Sequence, residues 1–170
     1  KAEKFFDVVT YTGNGTTQNI SHNLGSTPGC IIVKNTQSST FWPVYHKDVP
    51  NFVGFLNATN AFDTSNTQNF GNNTNPVAPT DSVFTVGQQS TVNSSGETYV
   101  AYLFASDAGG FGNGGSENII KCGSYDANLN EVVDLGFEPQ FIIYKSTATA
   151  AWRMADTMRG WTANDTNTIK

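Results

Sequence analysis

The sequence predicts an all-β protein, and three observations support this fold class. Apolar residues recur at every second position in short runs that are rich in β-branched and aromatic residues. No window sustains the i, i+3, i+4, i+7 spacing of an amphipathic helix. Turn-forming residues separate the runs at short intervals, which is typical of an antiparallel β-sandwich. The runs are residues 5–11, 30–33, 41–45, 83–86 and 99–104.

Two segments rich in Gly, Asn and Ser predict hairpin turns between strands. Residues 13–15 (Gly-Asn-Gly) follow the first run, and residues 93–96 (Asn-Ser-Ser-Gly) precede the run at 99–104. Glycine and asparagine tolerate the left-handed backbone that tight hairpin turns require. Residues 57–80 are poor in apolar side chains, and we interpret them as a long surface excursion that holds at most one short strand.

An internal repeat is the most informative feature of the chain. It predicts one β-sandwich unit at residues 1–108, a Gly-rich linker at 109–117 and the first half of a second, repeated unit at 118–170. The matching residues are Leu24-Gly25 with Leu135-Gly136, Pro28 with Pro139, Ile31-Ile32 with Ile142-Ile143, Lys34 with Lys145, and Trp42 with Trp152.

The linker contains a G-x-G-x-x-G pattern at 110–115, but its context argues against a dinucleotide site. The residues that follow, 118–122, predict a strand, whereas a pyrophosphate would need the N-terminus of a helix. Phe111 within the linker suggests that this segment is pinned to one domain.

The second unit lacks a run equivalent to residues 99–104, so we expect the native polypeptide to continue or a neighbouring chain to supply strands. Without them, a few-stranded sheet would expose core surface. We therefore predict an assembly interface at Ile142, Ile143 and Trp152, covered by the first unit, by further polypeptide or by another chain whose edge strand pairs with it.

Composition narrows the class of protein further. Of 170 residues, 14% are charged and 53 are Asn, Ser or Thr, a profile typical of an extracellular or virion β-protein. The net charge of −5 argues against nucleic-acid binding, which requires positively charged side chains that neutralise phosphates. No apolar run approaches the length of a membrane span, so we expect no membrane insertion.

No residue pattern indicates an enzyme, a metal site or a cofactor. A hydrolytic base could only be His22 or His46, and His22 has no counterpart in the second copy of the repeat, which favours a tolerated surface position over a catalytic role. Cys30 and Cys122 each lie in an apolar run, which favours free core thiols; a disulfide between them is the less favoured alternative. Metal binding is disfavoured because both histidines are remote from them in sequence. We predict a non-enzymatic protein with no cofactor.

Trp42 and Tyr45 are candidate glycan contacts, because aromatic rings stack on sugars when they are exposed. For Trp42 and Trp152 the favoured interpretation is a core anchor, because recurrence in a repeat also selects for core packing. Asn-x-Ser/Thr sequons are numerous, but a chain so rich in Asn and Thr generates them by chance. They begin at Asn14, Asn19, Asn57, Asn72, Asn93 and Asn164.

Taken together, several segments resemble a repeated, largely uncharacterised domain of tail-fibre-like structural proteins in the virions of aquatic tailed phages. The resemblance implies a β-rich module of a longer virion protein and carries no enzymatic residues. The segments are 11–16 (YTGNGT), 20–25 (ISHNLG), 44–47 (VYHK), 78–87 (APTDSVFTVG), 93–105 (NSSGETYVAYLFA), 136–141 (GFEPQF) and 156–160 (DTMRG).

The expected function is therefore a structural module of a phage tail fibre, appendage or capsid decoration that contributes to host attachment. Its expected location is the virion surface or the extracellular space. Its expected partners are further copies of itself, other virion proteins and a host-surface glycan. A subunit of an extracellular filament or surface assembly is the first alternative. A carbohydrate-binding module is the second.

Overall fold

The computed structural model describes residues 2–62, 66–128 and 132–160. It confirms the all-β prediction: the sheets are antiparallel, and the helices are single turns. The elements are β1 (Phe6–Thr12), β2 (Gln18–Ser21), β3 (Pro28–Asn35), β4 (Pro43–His46), β5 (Gly54–Phe55), α1 (Asn66–Asn69), β6 (Val83–Val86), α2 (Ser90–Asn93), β7 (Thr98–Ala105), β8 (Phe141–Tyr144), β9 (Arg153–Asp156) and a 3₁₀ turn (Thr157–Arg159).

The strands form three antiparallel sheets. The largest has the order β1-β7-β3-β4-β5, so that β7, late in the first unit, lies between β1 and β3. Strands β2 and β6 form a separate two-stranded sheet, and β8 pairs with β9. Strand β1 is an edge of the large sheet, and no strand pairs with its outer edge in the described part of the chain.

The hydrophobic core lies between the large sheet and the β2-β6 sheet. Alternation along β7 directs Tyr99, Ala101 and Leu103 to this side, and all three are buried. Residues of β2, β3 and β6 belong to the same cluster. The cluster is formed by Ile20, Leu24, Ile31, Val33, Tyr45, Val53, Phe70, Phe84, Val86, Val92, Tyr99, Ala101, Leu103 and Ala105.

The two segments predicted as hairpin turns join different sheets instead. Residues 13–15 lead from β1 in the large sheet to β2 in the small one, and residues 93–96 lead back to β7. The loops satisfy each other's backbone groups, since the amides of Gly13 and Gly15 donate to the carbonyls of Glu97 and Asn93 at 2.8 and 2.9 Å. The sequence thus correctly predicted turns in these segments, but it predicted the wrong pairing partners for the strands beside them.

Two further local predictions are wrong. Residues 118–122 form no strand: the Cys122 amide donates to Ser106 Oγ at 3.0 Å, and the Ile120 carbonyl accepts from the Asp107 amide at 3.1 Å. Residues 57–62 and 66–80, the described parts of the predicted surface excursion, contain the helical turn α1 and an isolated bridge between Gly71 and Pro76. Phe70 from this segment enters the core.

The hairpin β8-β9 has the same pairing as β3-β4. Ile31 lies opposite Tyr45 in the first hairpin, and Ile142 lies opposite Ala155 in the second. An offset of 111 residues in the first strand and 110 in the second relates the three residue pairs of β3-β4 to pairs of β8-β9. The predicted partial second copy also includes residues 161–170, which lie outside the described residues.

Candidate functional site

The first predicted site, the glycan-contact pair, is divided between the two faces of the large sheet. Tyr45 lies opposite Ile31 on the core side, is 4% exposed and packs edge-on against Phe70 at a centroid distance of 5.8 Å. Its ring is therefore not available to a glycan, and this assignment is wrong. The sequence showed an apolar run with aromatics but not which members would face the core.

Trp42 is half-buried, immediately before β4, with the ammonium of Lys34 5.5 Å from its ring centroid. This distance is within the range of a cation–π contact. Phe41 beside it is 46% exposed and packs on Phe55 at a centroid distance of 4.7 Å. The aromatic surface that remains open is thus formed by Phe41 and Trp42.

The second predicted site, the assembly interface, lies on the hairpin β8-β9 and beside it. Trp152 contacts the first unit: its Nε1 donates to the Phe55 carbonyl at 2.8 Å, and its ring lies 6.3 Å from that of Phe62. Ile142 is half-buried, whereas Ile143 is 46% exposed. The structure thus places the three residues on one hairpin but gives each a different environment.

Ile143 belongs to an exposed apolar face that we call the hairpin face, formed by Phe141, Ile143 and Met154. Phe141 and Met154 are 54% and 56% exposed, and Met154 lies directly opposite Ile143. Neither Phe141 nor Met154 was predicted from the sequence, although their alternation with Ile142 and Ala155 gave the signal. Side chains at alternate positions of a strand share one face.

Backbone hydrogen bonds within the chain hold the hairpin against the segment that follows β5, the edge strand of the large sheet. The Ala150 amide donates to the Thr59 carbonyl, and the Phe62 amide donates to the Thr147 carbonyl, each at 2.9 Å. Lys145 lies with its ammonium 5.9 Å from the Phe62 ring centroid. These contacts orient the hairpin with its apolar face exposed.

Both histidine rings contact backbone groups in the described part of the chain. His22 is buried, its Nε2 lies 3.3 Å from the Thr80 carbonyl, and burial lowers the pKa of its imidazole. His46 Nδ1 accepts from the Asp48 amide at 3.3 Å, and burial also lowers its pKa. A surface position was the sequence-based interpretation of His22, and the structure corrects it.

Sequence reasoning missed two buried polar clusters that hold loops in place. Asn35 donates to Glu97 and to the Tyr99 hydroxyl, and its Oδ1 accepts from the amides of Gln37 and Ser38 at 2.9 Å each. Hydrogen bonds from Ser38, and then from Asn35, lower the pKa of the Glu97 carboxyl. Every member of this cluster has an evident structural partner, so we assign it no chemistry.

The second cluster centres on Asn93, which is completely buried. Its Nδ2 donates to the carbonyls of Thr16 and Gly87, each at 2.6 Å. Its Oδ1 accepts from the Asn14 amide at 2.9 Å and from Gln18 Nε2 at 2.7 Å. The amide therefore uses its full hydrogen-bonding capacity, and in the folded chain it has no room for a glycan.

No group of three or more His, Cys, Asp and Glu side chains suited to a metal ion occurs within residues 2–62, 66–128 and 132–160. Across the same ranges, no helix has the length and apolarity to cross a membrane.

Comparison with known proteins gives a family but no activity. The chain belongs to the family described as Domain of unknown function (DUF7483), which matches residues 2–170. No curated protein and no solved structure matches the chain significantly. The class of molecule is thus an all-β member of this family.

Proposed function

We propose that this chain is a non-enzymatic structural module of a phage virion, in a tail fibre, an appendage or a capsid decoration, and that copies of it associate through the hairpin β8-β9. The hairpin face, with three large apolar side chains about half exposed, is the observation that carries this proposal. Singly exposed apolar residues are common, but a contiguous apolar patch on one sheet face favours an interface.

Comparison of the hairpins β3-β4 and β8-β9 supports the proposal that a further strand pairs with the free edge of β8. In the first unit, β3 pairs with β4 on one side and with β7 on the other. In the second, β8 pairs with β9 alone within the described residues. The free edge of β8 corresponds to the edge of β3 that β7 occupies, and an unpaired edge is a template for another strand.

A second copy of this chain is the proposed occupant. Its β1 is the edge strand of a five-stranded sheet. Phe6 at its start is bridged to Ala2, and in the described part of the chain no strand pairs with the outer edge beyond it. Phe6 and Val8 alternate on the side of β1 away from the core, and Val8 is 42% exposed. Pairing of β1 from one copy with β8 of the next would join apolar sheet faces into one surface. Repetition of this contact would build a linear assembly.

Sedimentation velocity on the full chain over a range of concentrations tests the contact. We expect the wild-type chain to associate, and Ile143→Asp to remain monomeric because the carboxylate would lie beside the apolar side chains of the paired β1 and lose contact with water there. Val132→Asp is the matched control, since Val132 is 95% exposed and lies outside the hairpin. It should associate like the wild type. A wild-type chain that stays monomeric at every soluble concentration would refute this contact.

The virion assignment rests on the resemblance and on the low charge of the chain, and it needs a separate test. Antibodies raised against the chain should label the fibres or surface of tailed particles in electron micrographs. Labelling of helical polymers that have no capsid would favour an extracellular filament instead. Hydrolysis of polysaccharides or peptides by the purified chain, abolished by one point mutation, would overturn the non-enzymatic assignment.

Glycan binding is the second candidate function, favoured by the open aromatic surface of Phe41 and Trp42. Aromatic faces beside polar side chains are suited to sugar rings. A glycan array with the wild type, Trp42→Ala and, as a control, Trp152→Ala tests it. Binding lost only in Trp42→Ala supports a host-attachment role, and a silent wild-type array contradicts it.

A further inference from the structure

The two cysteines lie 92 positions apart in sequence, yet the fold brings Cys122 against the residue that precedes Cys30. A Cβ atom built on Gly29 would lie 2.9 Å from both Cβ and Sγ of Cys122. Such distances are shorter than any real contact, so only glycine at this position leaves room for the Cys122 side chain. Cys122 Sγ also lies 3.6 Å from the Ala105 carbonyl.

Both cysteine side chains lie on the same side of the large sheet. Strand β3 shifts register between Pro28 and Cys30, which places Cys30 opposite Phe104. The missing Cβ of Gly29 would point at Ser106, 2.7 Å from its Cβ. Ser106 lies two residues after Phe104, and residues two apart along a strand share a face. Cys122 therefore contacts the face on which Cys30 lies.

The two cysteines are near enough for a disulfide to form if the segment around Cys122 moves toward β3. The 2.9 Å distance to Cys122 Cβ, a bond of about 1.5 Å at each end of it and a spacing of about 3.8 Å between consecutive Cα atoms place the Cα atoms of Cys30 and Cys122 at most about 10 Å apart. A disulfide requires Cα atoms about 4.4–6.8 Å apart. The segment around Cys122 is held by hydrogen bonds with the Ser106 side chain and by one backbone hydrogen bond from Asp107 to Ile120. It belongs to no sheet ladder, so it can move without breaking a strand pair.

We propose that Cys30 and Cys122, which are free thiols in this structure, form an intramolecular disulfide under oxidising conditions and so fasten residues 118–124 to β3. The proposal does not depend on the virion assignment. It does accord with an extracellular location, because disulfides persist outside the reducing cytosol.

The oxidation needs a two-electron acceptor, and a small-molecule disulfide such as oxidised glutathione supplies it. One protein thiolate attacks the glutathione disulfide, releases one glutathione and leaves a mixed disulfide. The second protein thiolate then displaces the other glutathione and closes the protein disulfide. In total, two thiols lose two protons and two electrons, and one glutathione disulfide becomes two glutathione molecules.

The burial of the two thiols determines how fast the disulfide is expected to form. Burial raises the pKa of both thiols, that of Cys122 to about 12. Little thiolate is present at neutral pH, so closure should be slow and should accelerate as the pH rises. Because both are also poor leaving groups, the disulfide should resist reduction once it forms.

The test is to incubate the folded full chain with oxidised glutathione and to measure intact mass, free thiols and thermal unfolding. We expect a mass loss of about 2 Da, no free thiol after denaturation and a rise in Tm of about 10 °C, because the bond closes a long loop. Peptide mapping without reductant should recover the peptides of Cys30 and Cys122 as one linked species.

Cys30→Ser and Cys122→Ser are the matched controls. Each should gain at most one glutathione and should show no rise in Tm after oxidation. If either variant fails to fold, Cys122→Ala, which keeps a small side chain beside Gly29, replaces it. Two free thiols in the folded chain after oxidation at raised pH would overturn the proposal. So would a linkage that forms only between chains.

Discussion

Replacing Asn93 by alanine removes the hydrogen-bonding centre that joins the 13–17 loop to the segment after β6. Four hydrogen bonds are lost, two donated to the Thr16 and Gly87 carbonyls and two accepted from Asn14 and Gln18. A typical intramolecular hydrogen bond contributes about 1 kcal/mol net. Water can reach the exposed Asn14 backbone in the variant, so part of one bond is recovered.

We therefore expect Asn93→Ala to lower the free energy of unfolding by about 3–4 kcal/mol, a large share of the roughly 5–15 kcal/mol available to a domain. Urea unfolding followed by tryptophan fluorescence measures it, with an unchanged m-value as the check that only stability has changed. Asn72→Ala is the matched control, since Asn72 begins another sequon but is exposed and accepts only from the Thr74 and Asn75 amides.

The control should cost less than about 1 kcal/mol. If Asn93→Ala and Asn72→Ala destabilise the chain equally, the buried amide does not join the two segments as we infer. A loss near 1 kcal/mol in Asn93→Ala would have the same meaning, because it would correspond to one hydrogen bond and not four.

Three other changes test separate contacts. Gly13→Ala should lower the free energy of unfolding in urea by more than about 2 kcal/mol, since a Cβ there would lie 2.1 Å from the Ser94 carbonyl oxygen. The control Gly123→Ala, which has open space around it, should lower it by less than about 1 kcal/mol. Equal losses would contradict the packing of the two loops. Trp152→Phe should remove the hydrogen bond to Phe55 and accelerate amide exchange in β8 with little change in β7, and uniform acceleration in both strands would contradict a local role. The lowered pKa of His22 means that the unfolded chain binds more protons below its ordinary value of 6.5, so stability should fall as the pH decreases through that value. His22→Gln should show a smaller fall over the same interval, and an unchanged pH dependence in unfolding experiments would refute the assignment.

The local β-structure of the first unit could be predicted from the sequence because alternation is a property of neighbouring residues. The run at 83–86 coincides with β6, and the runs at 30–33 and 99–104 lie within β3 and β7. A residue two positions along a strand always shares its face, so a period of two in apolar side chains indicates a strand that is covered on one side. The same rule holds whichever strand lies beside it.

The pairing of strands and the accessibility of side chains were decided by the tertiary structure. The loop at 13–15 suits a tight turn, but β1 pairs with β7 and β2 pairs with β6, both of which lie more than sixty residues further along the chain. Tyr45 is closed to a glycan because Ile31 and Phe70 meet it from distant parts of the chain. Asn93 is a hydrogen-bonding centre because residues more than seventy positions away supply three of its four partners.

The sequence by itself thus determined the all-β class and the positions of the strand-forming runs in β3, β6 and β7. The fold alone decided that Cys122 lies beside Gly29 and that the face of Ile143 is exposed. The physical reason is that strand formation follows from short-range backbone and side-chain preferences. Burial, in contrast, depends on which remote surfaces close over a strand, and that is settled by the packing of the whole chain.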